Sequence, residues 1–325
     1  MPSAIYDTGN GIVLKADDVR YRLDPPRPVA NDRNVVSHAH SDHAPLRFRD
    51  VPILCSDATY DLLRLRRKGL RRTSCDNVEL LDAGHIPGSR MIALECCDIR
   101  MLYTGDFCTR RKNHLSPARP APCDVLVTET TYGKEGYEFP DHEETVGAIS
   151  DWVDSNLASD RSVVLLAYPL GKAQELAYEL GGRPVRVQRG IGDNHRVLRA
   201  HGFTLPTEGL GNALPTQPVV YITSGLGRES ARVDRLVKDG AKTASFSGWS
   251  ANGSGWRPAH RTDEEFPLSD HCDYNELMEF VRLCGPERVL ATHGFAREFS
   301  ESVKNELGID AGPLQRGQSV LGSFV

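Results

Sequence analysis

The stretch Ser37-His38-Ala39-His40-Ser41-Asp42-His43 constrains this chain more than any other. From His38 to His43 it sets three imidazoles and one carboxylate within six consecutive positions. The apolar pair Val35-Val36 precedes it and Ala44-Pro45 follows, so it sits where a strand ends and a loop begins. Neutral imidazole and carboxylate are the donors preferred by zinc and its first-row neighbours. Side chains alternate along an extended segment, so His38 and His40 point to one side and can pinch one ion. After the chain turns, Asp42 and His43 can reach a second. A solvated His-rich loop is the bland alternative.

Composition sets limits without deciding. A chain of 325 residues holds two domains or one large one and can bury a sizeable core. No apolar run approaches the ~20 residues that span a bilayer, and Met1 to Asp7 lacks the basic region and apolar core of a signal peptide. Eight cysteines are scattered without CxxC spacing, and the adjacent Cys96 and Cys97 are poorly placed to bridge each other. That argues against a disulfide framework and a cysteine zinc site, and a reducing cytoplasm is the expectation. A net charge of -5 speaks against an unselective nucleic-acid coat. Charge is uneven, however. Arg64, Arg66, Arg67, Lys68, Arg71 and Arg72 crowd one segment, and Arg110-Arg111-Lys112 form another. Such clusters are either solvated helix faces or, near a phosphate-handling site, anion contacts.

The first third reads as short strands: Gly11 to Leu14 and Val19 to Leu23 as a hairpin, then Asn34 to Ser37, Pro52 to Cys55, Val78 to Leu81, Met91 to Leu94, Ile99 to Tyr103 and Asp124 to Val127. A helix near Asp57 to Lys68, with Asp57 as N-cap and Gly69 as its stop, interrupts them. From about Lys134 strands alternate with helices. Glu143 to Asn156 is amphipathic, and helices at Lys172 to Leu180, Asp193 to Ala200 and Gly227 to Asp239 alternate with strands ending near Ala167, Gln188, Thr223 and Ser247. This rhythm predicts βαβ units and a small parallel sheet. Tyr274 to Leu283 (helix), Arg288 to Thr292 (strand) and Arg297 to Leu307 (helix) close the chain. The organisation is that of an outer domain interrupted by an α/β insertion.

Four further stretches raise the metal signal: Ala83-Gly84-His85, Tyr103-Thr104-Gly105-Asp106, Asp270-His271 and Thr292-His293-Gly294. Each places a His or Asp beside an apolar segment, and together they describe how a preorganised metal site is built. In combination they resemble a known family. His38-Ala39-His40-Ser41-Asp42-His43 resembles the HxHxDH signature of metallo-β-lactamase-fold hydrolases. Thr128 to Gly133, Phe266 to His271 and Thr292-His293-Gly294 resemble motifs A, B and C of the β-CASP nucleases. The short length and Ser247-Gly248-Trp249 look most like the small prokaryotic group of ligase-associated DNA exonucleases and mRNA 3′-end processing factor-like proteins.

The resemblance implies an α/β fold: a metallo-β-lactamase αββα sandwich at 1–134 and 263–325, with an α/β β-CASP domain inserted at 135–262. It implies two Zn2+ ions, with Mn2+ as substitute. His38, His40 and His85 would hold the first and Asp42, His43 and His293 the second, with Asp106 bridging. Asp24 would orient ligands, and the catalytic set would be Asp42, Glu129 and His271, with His271 protonating the leaving oxygen. Lys172, at a helix start after Tyr168-Pro169-Leu170-Gly171, is a candidate phosphate contact, as are Ser224 and Ser247 at Gly-bearing turns. Trp249 and Trp256 are candidates for stacking on bases. The function expected is a DNA exonuclease with a role in repair, RNA processing being the alternative; a non-catalytic scaffold and a small-molecule hydrolase are the other readings. The partners expected are a DNA or RNA substrate and repair or RNA-processing proteins, with no membrane.

Overall fold

The computed structural model describes residues 4–16, 18–45, 51–96, 99–211, 213, 215–251 and 262–314. The chain divides into two compact units, residues 1–110, 116–137 and 271–325 in one and 111–115 with 138–270 in the other. In chain order the first unit begins with β1 (Ala4–Asp7), β2 (Ile12–Ala16), β3 (Val19–Leu23), β4 (Arg33–Val35), β5 (Ile53–Leu54) and α1 (Asp57–Arg64). It continues with β6 (Val78–Asp82), β7 (Arg90–Cys96), β8 (Ile99–Tyr103) and β9 (Val125–Glu129). The second unit carries α2 (His142–Ala158), β10 (Val163–Leu166), α3 (Lys172–Glu179), β11 (Val185–Val187) and α4 (Arg189–Arg199). β12 (Val220–Thr223), α5 (Arg228–Lys238), β13 (Lys242–Phe246) and β14 (Glu264–Phe266) follow in it. α6 (Tyr274–Cys284), β15 (Arg288–Thr292), α7 (Ala296–Ser302) and β16 (Asp310–Pro313) return to the first unit.

Two sheets build the first unit, ordered β1-β2-β3-β4-β5 and β16-β15-β9-β8-β7-β6. The central strands of the six-stranded sheet are apolar on both faces, and their period of two sorts them into two cores. Ile92, Leu94, Met101, Tyr103, Val125, Val127 and Leu290 share one core with Ile5, Leu14, Tyr21, Leu23 and Val35 of the other sheet. Met91, Leu102, Leu126, Val289 and Ala291 face the opposite way, against Leu277, Phe280 and Val281 of α6 and Phe299 of α7. Every residue of Val125 to Glu129 is buried, each apolar side chain contributing about 1.5–3 kcal/mol. The sheet is thereby held rigid where its strands deliver functional side chains.

The second unit holds one parallel sheet, ordered β11-β12-β10-β13-β14. The α/β alternation expected beyond Lys134 is present, and Val220 to Thr223 is buried throughout. No helix among the described residues is long and apolar enough to cross a membrane.

Several expected boundaries move. Ser56, not Asp57, caps α1: its extended backbone leaves the hydroxyl to accept from Thr59 N–H at 3.1 Å, and Asp57 becomes the first helical residue. α1 stops at Arg64 instead of running to Lys68, and just beyond it Arg66 N–H turns back to Leu63 O in a tighter i→i−3 bond. α4 begins at Arg189, four residues early, despite Gly190 and Gly192; buried Ile191, Asn194 and Leu198 anchor it. β1, β14 and β16 are too short to give a pattern and form by pairing with long neighbours. The expected final helix gives way to a π-helical turn at Val303–Leu307.

Candidate metal centre

Each side chain of the centre arrives from the end of an element in the first unit. The β4 strand leads directly into Ser37 and His38, which are fully buried, and β8 ends just before Thr104-Gly105-Asp106. Gly105 is required there: a Cβ would lie 2.8 Å from Ser37 Cβ and Oγ, so only glycine lets the two segments close up. His38, His40, His85 and Asp106 offer four ligand atoms within 4.8 Å of one another. His38 Nε2 lies 3.5 Å from Asp106 Oδ2, His85 Nε2 3.6 Å from the same oxygen, and His43 Nε2 3.3 Å from Asp106 Oδ1. Asp106 therefore faces three imidazoles at once.

Tautomers follow from what lies behind the rings. His38 Nδ1 is 2.9 Å from Ser37 Oγ and His43 Nδ1 is 2.8 Å from Asp24 Oδ2, which turns both Nε2 atoms toward Asp106. Asp24 also accepts from Ser37 N–H (2.7 Å), Ser37 Oγ (2.7 Å) and Tyr103 OH (2.8 Å). Four donors converge on this one buried carboxylate and fix its position.

Electrostatics separates the rings. Burial pushes the His38 pKa well below the ordinary histidine value, helped by His43, so it stands as the neutral ligand form. At His43 burial acts the same way but Asp106 and Asp24 outweigh it, and its pKa lies well above the ordinary value. Burial alone would raise Asp106, yet His43 and His38 hold it well below the usual carboxylate range. His38 Nε2 is buried with no hydrogen-bond partner. A bare polar atom of that kind is costly unless a cation meets it, so these residues fit a metal ion.

Behind Asp106, Glu129 Oε1 lies 2.7 Å from His271 Nδ1 and accepts from Phe107 N–H at 3.0 Å. Thr131 N–H and Oγ1 donate to its other oxygen. Arg110 Nη2 donates to His271 O at 2.6 Å, fixing the backbone on which the ring stands. The His271 and His85 ring centroids are 4.7 Å apart.

Two positions carry backbone strain. Among the described non-glycine residues only Asp24, Asp160 and His293 have positive φ, at 46°, 58° and 57°. Two of the three belong to this centre, where strain of order 1–3 kcal/mol each persists because surrounding contacts impose it. Thr130 Oγ1 donates to His293 O at 2.6 Å and Phe295 N–H donates to Thr130 O at 2.9 Å, clamping the turn. The His293 ring is 5.5 Å from that of His43 and is exposed. Asp42 is more remote, with its carboxylate 3.9 Å from His43 Nε2 and 75% exposed.

No family model matches the chain. A probable DNA ligase of Opitutus terrae is 35% identical over 295 residues, covering 86% of this chain and 28% of that protein. Cleavage and polyadenylation specificity factor 73 of Drosophila melanogaster is 25% identical over 67% of this chain and 40% of its own length. The DNA cross-link repair protein SNM1 of Arabidopsis thaliana is 24% identical over 79% of this chain and 60% of its own length. The chain thus spans less than two thirds of each. These relatives fit the resemblance to the metallo-β-lactamase-fold β-CASP nucleases. A crystal structure of a protein of unknown function from Enterococcus faecalis V583 shares the fold, with a TM-score of 0.68 and 13% identity over 99% of this chain and 100% of that one.

The residues expected to contact substrate lie in the second unit. Lys172 is buried and donates to Asp270, so its charge is neutralised rather than offered to solvent. Ser224 donates through its N–H (2.8 Å) and Oγ (3.0 Å) to Gln188 Oε1, and Ser247 caps a 3₁₀ turn through Trp249 N–H. Trp256 lies outside the described residues. Sequence reasoning missed Ser37, Tyr103 and Arg110. Ser37 and Tyr103 stand beside the recognised motifs, but only the fold shows that both hold Asp24.

Proposed function

We propose that this chain is a two-metal nuclease of the β-CASP type, and that its first unit is the αββα sandwich into which a β-CASP domain is inserted at 135–262. The observation that carries the reading is the buried Asp106 carboxylate facing His38, His43 and His85, with His38 Nε2 left bare. His38, His40 and His85 would hold one zinc and Asp42, His43 and His293 the other, with Asp106 between them. When bound, such ions supply a hydroxide near neutral pH and neutralise charge on phosphoryl oxygens.

The chain's own groups supply the remaining chemistry. Asp24 and Ser37 orient the imidazoles. Glu129 Oε1 accepts a hydrogen bond from His271 Nδ1–H. The protonated ring can then give its Nε2 proton to the departing sugar oxygen and end neutral with Nδ1–H retained, a contribution of about 10²–10⁴-fold. DNA is the substrate we propose, with exonucleolytic action in repair, since the relatives' names include a probable DNA ligase and cross-link repair proteins. RNA processing is the second reading, favoured by the cleavage and polyadenylation factors and an endoribonuclease of Candida glabrata.

Time-resolved digestion of matched end-labelled DNA and RNA strands with zinc or manganese tests this. Parent protein should shorten the DNA, and His40→Ala or Asp106→Ala should abolish hydrolysis while leaving the circular dichroism spectrum in place. Equal cleavage by parent and both variants would remove the site assignment.

A further inference from the structure

The basic segment after α1 lies against the His loop within the same unit. Arg66 Nη1 reaches Ala39 O, between His38 and His40, at 3.5 Å, and Arg67 Nε reaches Pro45 O at 3.4 Å. Arg67 Nη1 also donates to Arg66 O at 3.3 Å, and each guanidinium carries N–H donors beyond these bonds. Arg64 and Arg72 stand over the Tyr60 ring at 5.7 and 5.6 Å, and Tyr60 OH donates to Leu70 O at 3.0 Å, which holds the ring in place.

Acidic compensation is partial. Arg72 pairs with Asp57 and Arg71 also has a partner, while among the described residues Arg64, Arg66, Arg67 and Lys68 form no ion pair with a carboxylate. Partial burial first, and then the neighbouring Arg67, push the Arg66 pKa down. Arg64 and Lys68 are exposed. Packing like charges together works against the folded chain, in a protein whose net charge is -5. A polyanion laid across the segment would reverse that repulsion.

We propose that Arg64 to Arg72 is the track on which the phosphodiester backbone of a nucleic-acid strand lies as it enters the His cluster. The proposal rests on the nuclease reading and assigns the surface that reading leaves open. Arg66 and Arg67 are the contacts nearest the loop, and Arg64 and Lys68 lengthen the track. Backbone contacts of this kind carry no sequence information, so DNA and RNA strands should engage it alike.

The test is fluorescence anisotropy of labelled phosphorothioate single strands, DNA and RNA, across a salt series. Parent protein is compared with Arg64→Gln/Arg67→Gln/Lys68→Gln. A charge-matched control, Arg189→Gln/Arg199→Gln/Lys238→Gln, changes exposed positions of the other unit. At about 0.7 per phosphate contact on a single strand, the salt slope of the first variant should be shallower by about 2, with weaker binding at low salt. The control should keep the parent slope. An unchanged slope in the first variant, an equal loss in the control, or no salt-dependent binding by the parent overturns the proposal. Should the triple variant fail to fold, Arg64→Gln and Lys68→Gln alone should each lower the slope by about 0.7. Hydrolysis of bis(p-nitrophenyl) phosphate by metal-loaded parent is measured beside it. An inactive parent removes the nuclease reading whatever the slopes; an active parent with unchanged slopes removes only the track.

Discussion

Asp24→Asn isolates the support of the centre from the centre itself. In the parent, Oδ1 accepts Ser37 N–H, while Oδ2 accepts Ser37 Oγ, His43 Nδ1 and Tyr103 OH. An amide has one acceptor oxygen. Placed at the Oδ2 site, it leaves its NH2 facing the Ser37 N–H; flipped, it faces three donors. At least one buried donor is stranded, at a cost of about 1–3 kcal/mol. The bonds that survive lose the charge that strengthened them, so the total should reach about 2–4 kcal/mol. His43 also loses the carboxylate that fixes its tautomer, for which about 10–100-fold in metal affinity is the usual effect. Chelator competition with zinc and thermal unfolding read the two consequences separately. Zinc affinity within twofold of parent together with an unchanged melting temperature would refute the assignment of Asp24 as the residue orienting His43.

His271→Ala should keep its metal and slow hydrolysis by about 10²–10⁴-fold; metal loss in elemental analysis would argue against a proton-donating role. Gly294→Ala should destabilise the chain and dislodge His293, since its Cβ would lie 2.2 Å from Thr130 O at a φ of +54°; a parent-like melting curve and metal content would contradict this. Asp263 accepts from Lys242 Nζ, Thr243 N–H and Thr243 Oγ1, which together outweigh its burial and hold its pKa below the ordinary value. A depressed carboxylate stabilises above the unfolded pKa of ~3.9 and loses that contribution as pH falls through the folded value. Asp263→Asn should therefore melt about 1 kcal/mol less stable at neutral pH, with the difference shrinking as pH drops below ~4; a gap independent of pH would count against it.

Much of this centre was legible because its chemistry is local in the chain. His38, His40, Asp42 and His43 sit within six positions, and extended geometry alone aligns the first two. Helix boundaries were less legible. The cap of α1 fell to Ser56 because a hydroxyl on an extended residue reached the Thr59 N–H, and α4 began early because one face of it, with Ile191 and Leu198, is buried. β16 carries too few residues for a pattern, and exists because β15 offers it a ladder.

By itself the sequence determined the donor inventory, the α/β rhythm beyond Lys134 and the resemblance to the β-CASP nucleases. Those properties reside in residue type and spacing, which survive without coordinates. Only the tertiary structure decided that Asp24 takes four hydrogen bonds, that Lys172 is neutralised by Asp270, and that Arg66 rests against Ala39. Each joins residues 13 or more positions apart in the chain, and folding of the sheets and loops, not local preference, sets which side chains meet.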